Sequence, residues 1–248
     1  MGLSDELREG VGPIWEQVVT HPFVIELGDN TLSQDRFRVY FDQDYLFLKD
    51  RAILLSLATA KAPDFDAARQ LVGFLHLGLG GEEGLFQQAF RERGLSRQNV
   101  ADMEYRPTTF HYSGYLRNVA YTGTYTDVIA TLLAVEWPYM DWAQRLASGG
   151  KRPADRYYQT WIDLHTSDGM TGFVSWLRQT VDEAPLSPVD RPRLQAIFRD
   201  VLRYELEFWE VDDDIETLWE LQLPLIRQRV VEANRLYDDL LRAIEARR

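Results

Sequence analysis

The chain contains no cysteine. Disulfides, thiolate nucleophiles and zinc–sulfur centres are therefore excluded. Lysine is almost as scarce. Lys49, Lys61 and Lys151 are its only occurrences, so arginine carries nearly all the positive charge. Acidic residues outnumber basic ones, giving a net charge of −12. That argues against nucleic acid or an anionic membrane as a partner, because both require a basic footprint. No run of about 18 apolar residues occurs, so no membrane span is expected. Residues Met1 to Glu6 show neither a basic stretch nor an apolar run, so no signal peptide is expected and the predicted location is the cytoplasm. The four histidines include none placed three residues after a glutamate, which removes the Glu-x-x-His pairs of di-iron bundles. Gly78 to Gly84 is glycine-rich but lacks the Lys-Ser/Thr of a phosphate loop. No metal and no cofactor are expected.

What the chain does have is helical periodicity. Of its 248 residues, 45% are apolar, enough for a substantial core. Ser4 to about Val19 reads as a first helix, with a kink or restart at Pro13. Pro22 and Gly28-Asp29-Asn30 read as a connection. A long helix runs from about Ser33 to before Pro63, with Phe37, Tyr40, Phe41, Asp44, Phe47, Leu48 and Arg51 on one stripe. Asp64 to Arg93 follows, bent at its glycines. Pro107 precedes a short aromatic helix. Gly123-Thr124 ends it and starts the most apolar helix. Arg156 to Val181 reads as two helices broken near Ser167-Asp168-Gly169. Arg193 to about Trp209 and a last helix after Pro224 complete the chain. Alternating strand patterns and fixed-period repeats are absent. The expectation is an all-α single-domain bundle of about eight helices over residues 1–220. A C-terminal helical extension over 221–248 would pack on that domain or on a neighbouring subunit.

Three of these helices carry one acid inside an apolar stripe: Asp44, Glu136 and Glu205. Each has an aromatic residue three positions on, at Phe47, Tyr139 and Phe208, which places carboxyl and ring side by side. An isolated carboxylate in an apolar stripe is costly unless it is paired or used. Arg51 and Arg203 are the candidate partners, and Glu82, beside Glu83 and a glycine run, reads as structural or exposed. Three inward-facing helices of this kind would enclose carboxyls between aromatic walls. Such a cavity suits a flat, amine-bearing heterocycle.

Five segments, in order, resemble one family. They are Gln43-Asp44-Tyr45-Leu46-Phe47, Pro107-Thr108-Thr109-Phe110-His111-Tyr112, Leu132 to Tyr139, Trp161-Ile162-Asp163-Leu164-His165 and Tyr204-Glu205-Leu206-Glu207-Phe208-Trp209. Together they resemble TenA, the thiaminase II or aminopyrimidine aminohydrolase family, over roughly residues 5 to 220. The resemblance implies a haem-oxygenase-like helical fold and a C–N hydrolase of thiamin salvage. The implied reaction converts 4-amino-5-aminomethyl-2-methylpyrimidine, or its formyl derivative, to the hydroxymethylpyrimidine. It implies that Asp44 binds the amino group and ring nitrogen, that Glu205 is the acid/base at the leaving amine, and that Phe47, Tyr112 and Tyr139 line or stack on the ring. His165 stands where many members have tyrosine. Two readings of it stay open, a hydrogen bond to substrate or a core histidine. His21 sits where a haem-oxygenase ligand would lie, and little else points to haem.

The departure from the family is the nucleophile. The slot that holds a cysteine in many members falls on Val135, with Glu136 beside it. The chain resembles the cysteine-less branch, in which a pair of glutamates does the work and cleavage of thiamin itself is disfavoured. One residue along a helix turns a side chain by about 100°, so Glu136 is either the replacement or a bystander. Two other classes remain open: a non-catalytic pyrimidine-binding regulator, and a cofactor-free oxidase of the pyrroloquinoline-quinone-synthase type. The resemblance further implies a homo-oligomer, a tetramer or dimer, acting on a small-molecule aminopyrimidine.

Overall fold

The computed structural model describes residues 2–211. Met1 and residues 212–248 lie outside the described residues, and with them the end of the expected domain and the whole of the expected extension. Among the described residues the fold is all-α, with twelve α-helices, one π-helical turn and no strand. The helices are α1 (Leu3–Gly10), α2 (Gly12–Val19), α3 (Pro22–Asp29), α4 (Gln34–Lys61), α5 (Phe65–Leu77), α6 (Glu83–Glu92), α7 (Arg97–Ala101), α8 (Pro107–Thr122), α9 (Tyr125–Ser148), α10 (Arg156–His165), α11 (Asp168–Asp182) and α12 (Asp190–Phe208). The π turn, Gly78–Glu82, joins α5 to α6.

The count of about eight helices is too low. Pro22 does not break a helix here. It opens α3 at the first helical position, where its missing N–H costs nothing, and the His21 side chain accepts the Phe23 N–H at 3.2 Å. Asn30, left-handed at φ 61°, closes α3. The chain restarts after Val11, just ahead of Pro13, so the first expected helix is two. The expected bend in Asp64 to Arg93 takes the form of the π turn at the glycines.

α9 is the centre of the bundle. It packs against α2, α3, α4, α8, α10, α11 and α12. Sixteen of its 24 residues are buried, on every face, as a helix enclosed by others must be. Its start is fixed by a reciprocal cap. Thr124 Oγ1 accepts from the Asp127 amide at 3.2 Å, and the Asp127 carboxylate accepts from the Thr124 amide at 2.8 Å.

Two buried polar clamps tie α4 to α8. The Gln43 amide donates to the Glu104 carbonyl at 3.0 Å and accepts from the Arg106 N–H at 2.8 Å. Asp50, 1% exposed, accepts from Arg117 at 2.5 Å and from the Tyr105 hydroxyl at 2.9 Å. Removing one partner of such a buried charge costs about 3–5 kcal/mol, so the α4–α8 spacing is rigidly set.

Candidate active site

Four elements converge beside α9. α4 contributes Asp44, Phe47, Leu48 and Arg51, and the π turn contributes Glu82. α9 contributes Val135, Glu136 and Tyr139, and α10 contributes Trp161 and His165. They surround a narrow cavity of about 20 Å³, so a ring entering it must displace the side chains that line it. The i, i+3 spacing on α4 and α9 works as expected, setting each acid beside its ring on the cavity side. Val135 and Glu136 both reach the lining. The one-residue step along α9 therefore leaves Glu136 in the same cavity as Val135.

Arg51 governs the charge here. Its Nη2 donates to Glu82 in a short buried ion pair, and its Nη1 stands 3.6 Å from Glu136 Oε1. That second distance is too long for a hydrogen bond, and Glu136 Oε1 has no hydrogen-bond partner. Burial pushes the Glu136 carboxyl up from 4.5 to about 7, with Arg51 opposing and the Glu82 charge adding. Asp44 is also pushed well above its ordinary value, chiefly by burial and then by Glu82. One guanidinium cannot neutralise this many buried carboxyls, so some must hold protons.

Glu205 and Tyr112 stand one layer back. Neither lines the cavity, but Phe47 links them to it, with its ring 4.9 Å from that of Tyr112. The Tyr112 hydroxyl donates a short hydrogen bond to Glu205 Oε1. Burial nonetheless holds Glu205 well above the carboxylate range, against the pull of that bond. Phe208, three residues on, packs against Phe47 at 5.7 Å.

His165 is neutral. Burial lowers it to about 3. Its Nδ1 lies 2.7 Å from the Trp161 carbonyl, which can only accept, so Nδ1 carries the hydrogen and Nε2 keeps a lone pair. Its ring packs on Tyr139 at 5.1 Å, and the Tyr139 hydroxyl meets that of Tyr40 at 3.2 Å. The site thus combines buried carboxyls raised above their ordinary range, a fixed hydrogen-bond acceptor and aromatic walls. That suits acid/base chemistry on a small planar heterocycle.

A second, more open cavity of about 270 Å³ shares Arg51 and Glu82 with the first. Phe74, Leu77, Leu164 and Met170 give it apolar sides.

The structure brings Asp44, Phe47, Glu136, Tyr139 and His165 onto one cavity and leaves Glu205 and Tyr112 outside its lining. Glu82 takes the structural of its two expected roles. It is buried, 6% exposed, and paired. Of the two candidate arginines, Arg51 meets buried acids, whereas Arg203 is surface-exposed and stands 3.7 Å from Asp200. The signal for Arg51 and Glu82 was already present, since each lies on an apolar stripe of its own helix. His21 is occupied, accepting from Phe23 through Nδ1 and placing Nε2 2.8 Å from Glu210. Among the described residues no group of three or more His, Asp or Glu could hold a metal, and no helix is long and apolar enough to cross a membrane.

Comparison with known proteins places this arrangement. The profile of the TENA/THI-4/PQQC family matches residues 8–212. The aminopyrimidine aminohydrolase of Halalkalibacterium halodurans is 33% identical over 221 residues, covering 88% of this chain and 98% of that one. The enzyme of the same name from Bacillus subtilis is 27% identical, covering 84% and 89%. Among solved structures, a TenA homologue from P. horikoshii OT3 superposes with a TM-score of 0.77 at 25% identity, over 85% of this chain and 97% of that one. Haem oxygenase-1 from Synechocystis shares the fold, with a TM-score of 0.61 at 15% identity over 94% and 99%.

Proposed function

Because this chain belongs to the TENA/THI-4/PQQC family, we propose that it is an aminopyrimidine aminohydrolase of thiamin salvage that works without a nucleophilic cysteine. The observation that carries this reading is the meeting of Asp44, Glu136, Phe47 and Tyr139 on one narrow cavity whose lining also includes Val135. The substrate is a 4-amino-2-methylpyrimidine bearing an aminomethyl group, free or formylated. Its ring lies between Phe47 and Tyr139. Asp44 accepts from the ring amino group and shares a proton with the ring nitrogen. His165 Nε2 offers a further acceptor.

The reaction exchanges a C–N bond for a C–O bond. Glu136, poised near pH 7, takes a proton from water as the oxygen attacks the exocyclic methylene. Glu205, held protonated by burial, gives its proton to the departing nitrogen, and ammonia leaves. This step requires a rearrangement that brings Glu205 to the leaving nitrogen, because Glu205 feels the Asp44 and Glu136 charges but does not line the cavity. Cleavage of thiamin itself is disfavoured, because no thiol is available to add to the ring. The protein acts in the cytoplasm as a homo-oligomer, a tetramer or dimer.

Ammonia release from the aminomethylpyrimidine tests the reading. Glu205→Gln and Glu136→Gln should each slow it by about 100-fold or more. Near wild-type rates in both would overturn it. Tight pyrimidine binding without turnover by the native chain would favour a binding protein instead, and oxygen uptake an oxidase.

A further inference from the structure

Arg51 is shared unequally between two carboxyls. Glu82 holds it through Nη2, with a guanidinium N–H aimed at an oxygen. Glu136 sees it only at 3.6 Å, and both Glu136 Oε1 and Arg51 Nε are buried without hydrogen-bond partners. A guanidinium has five N–H donors in a rigid fork, and a free one would close on Glu136 to about 2.8 Å. The chain is built for the unequal arrangement. A Cβ at Gly78 would sit 3.1 Å from Arg51 Nη2, so glycine leaves room for the guanidinium. The π turn of Gly78–Glu82 inserts one residue into the helical ladder and sets the direction in which Glu82 points.

We propose that Glu82 is a positioning residue: by holding Arg51 it keeps the guanidinium out of hydrogen-bonding reach of Glu136, leaving the Glu136 carboxyl free to take up and release a proton. The proposal rests on the reading of Glu136 as the general base. The groups facing Glu136 are Asp44 and Arg51 on α4, Glu82 on the π turn, Tyr112 on α8, His165 on α10, Glu205 on α12 and Tyr139 on its own helix. Among them Arg51 is the one cation. Its partner choice therefore decides whether Glu136 behaves as a base or as a locked carboxylate.

Glu82→Gln should release Arg51 to Glu136. The acid limb of the kcat/KM profile should then move down by at least about one pH unit, the shift that an opposite charge at close range produces. The plateau rate should fall as well, because a more acidic carboxyl is a weaker base. Glu82→Asp should restore both in part. An infrared titration of the carboxyl band that disappears in Glu136→Gln reads the same shift without turnover. A Glu82→Gln protein that melts lower or turns over more slowly at every pH, with limb and band unmoved, would reduce Glu82 to a structural role and overturn the proposal. A band that shifts in a protein without aminohydrolase activity would sustain it while overturning the proposed function.

Discussion

Replacing Glu136 with glutamine should abolish a pH dependence of stability that the native core carries. In the folded chain this carboxyl titrates near 7, against an ordinary value of 4.5. Between those values the folded state keeps a proton that the unfolded chain has released. The associated stability is fully present below pH 4.5 and is lost as pH rises through about 7. At about 1.4 kcal/mol per unit, the whole effect is about 3 kcal/mol. Asp44 and Glu205 are raised as well and act in the same direction, but they remain in both proteins. The difference between variant and wild type therefore reports Glu136 together with its charge coupling to Asp44 and Glu205. Urea unfolding at pH 5 and pH 8 measures it. From pH 5 to pH 8 the variant should gain about 2–3 kcal/mol on the wild type, or roughly 5–10 °C in melting temperature for a chain of this size. A stability difference constant to within about 0.5 kcal/mol across that range would refute the reasoning.

Two further outcomes follow from the packing. Gly28→Ala should destabilise the fold by about 1–3 kcal/mol, seen as a lower urea midpoint, because its Cβ would lie 2.6 Å from Leu146 Cδ2 at the α3–α9 contact. Tyr112→Phe should lower kcat/KM for the aminopyrimidine about 10- to 100-fold in a steady-state assay. It removes the donor to Glu205 and leaves a buried acceptor unsatisfied, a loss of about 1–3 kcal/mol, while keeping the ring on Phe47.

Periodicity made the helical class and the inward acids legible, because buried faces repeat every 3.6 residues whatever the tertiary contacts. Asp44 and Glu136 were readable as cavity residues for that reason. Depth was not readable. A stripe says that Glu205 faces the core, but not that it bonds Tyr112 and stays out of the cavity lining. Partnership was not readable either. Arg51 and Glu82 are 31 residues apart, and a π turn between their helices shifts the register by one residue. Local chemistry misled at Pro22, since the same residue that breaks a helix interior is welcome at its first turn. Val135 was placed by the family motif alone, and no residue pattern distinguishes it from its apolar neighbours on α9.

Trp161 closes one wall of the inner cavity, and its indole N–H is buried without an acceptor. Its ring lies 4.8 Å from that of His165, and Trp142 lies 5.5 Å from the same imidazole. The site therefore carries its own optical probe. A heterocycle entering the cavity would change the polarity around Trp161 and supply a ring to quench it. Intrinsic emission, recorded while candidate pyrimidines are titrated in, would report occupancy directly, without a label, a coupled assay or any catalytic turnover.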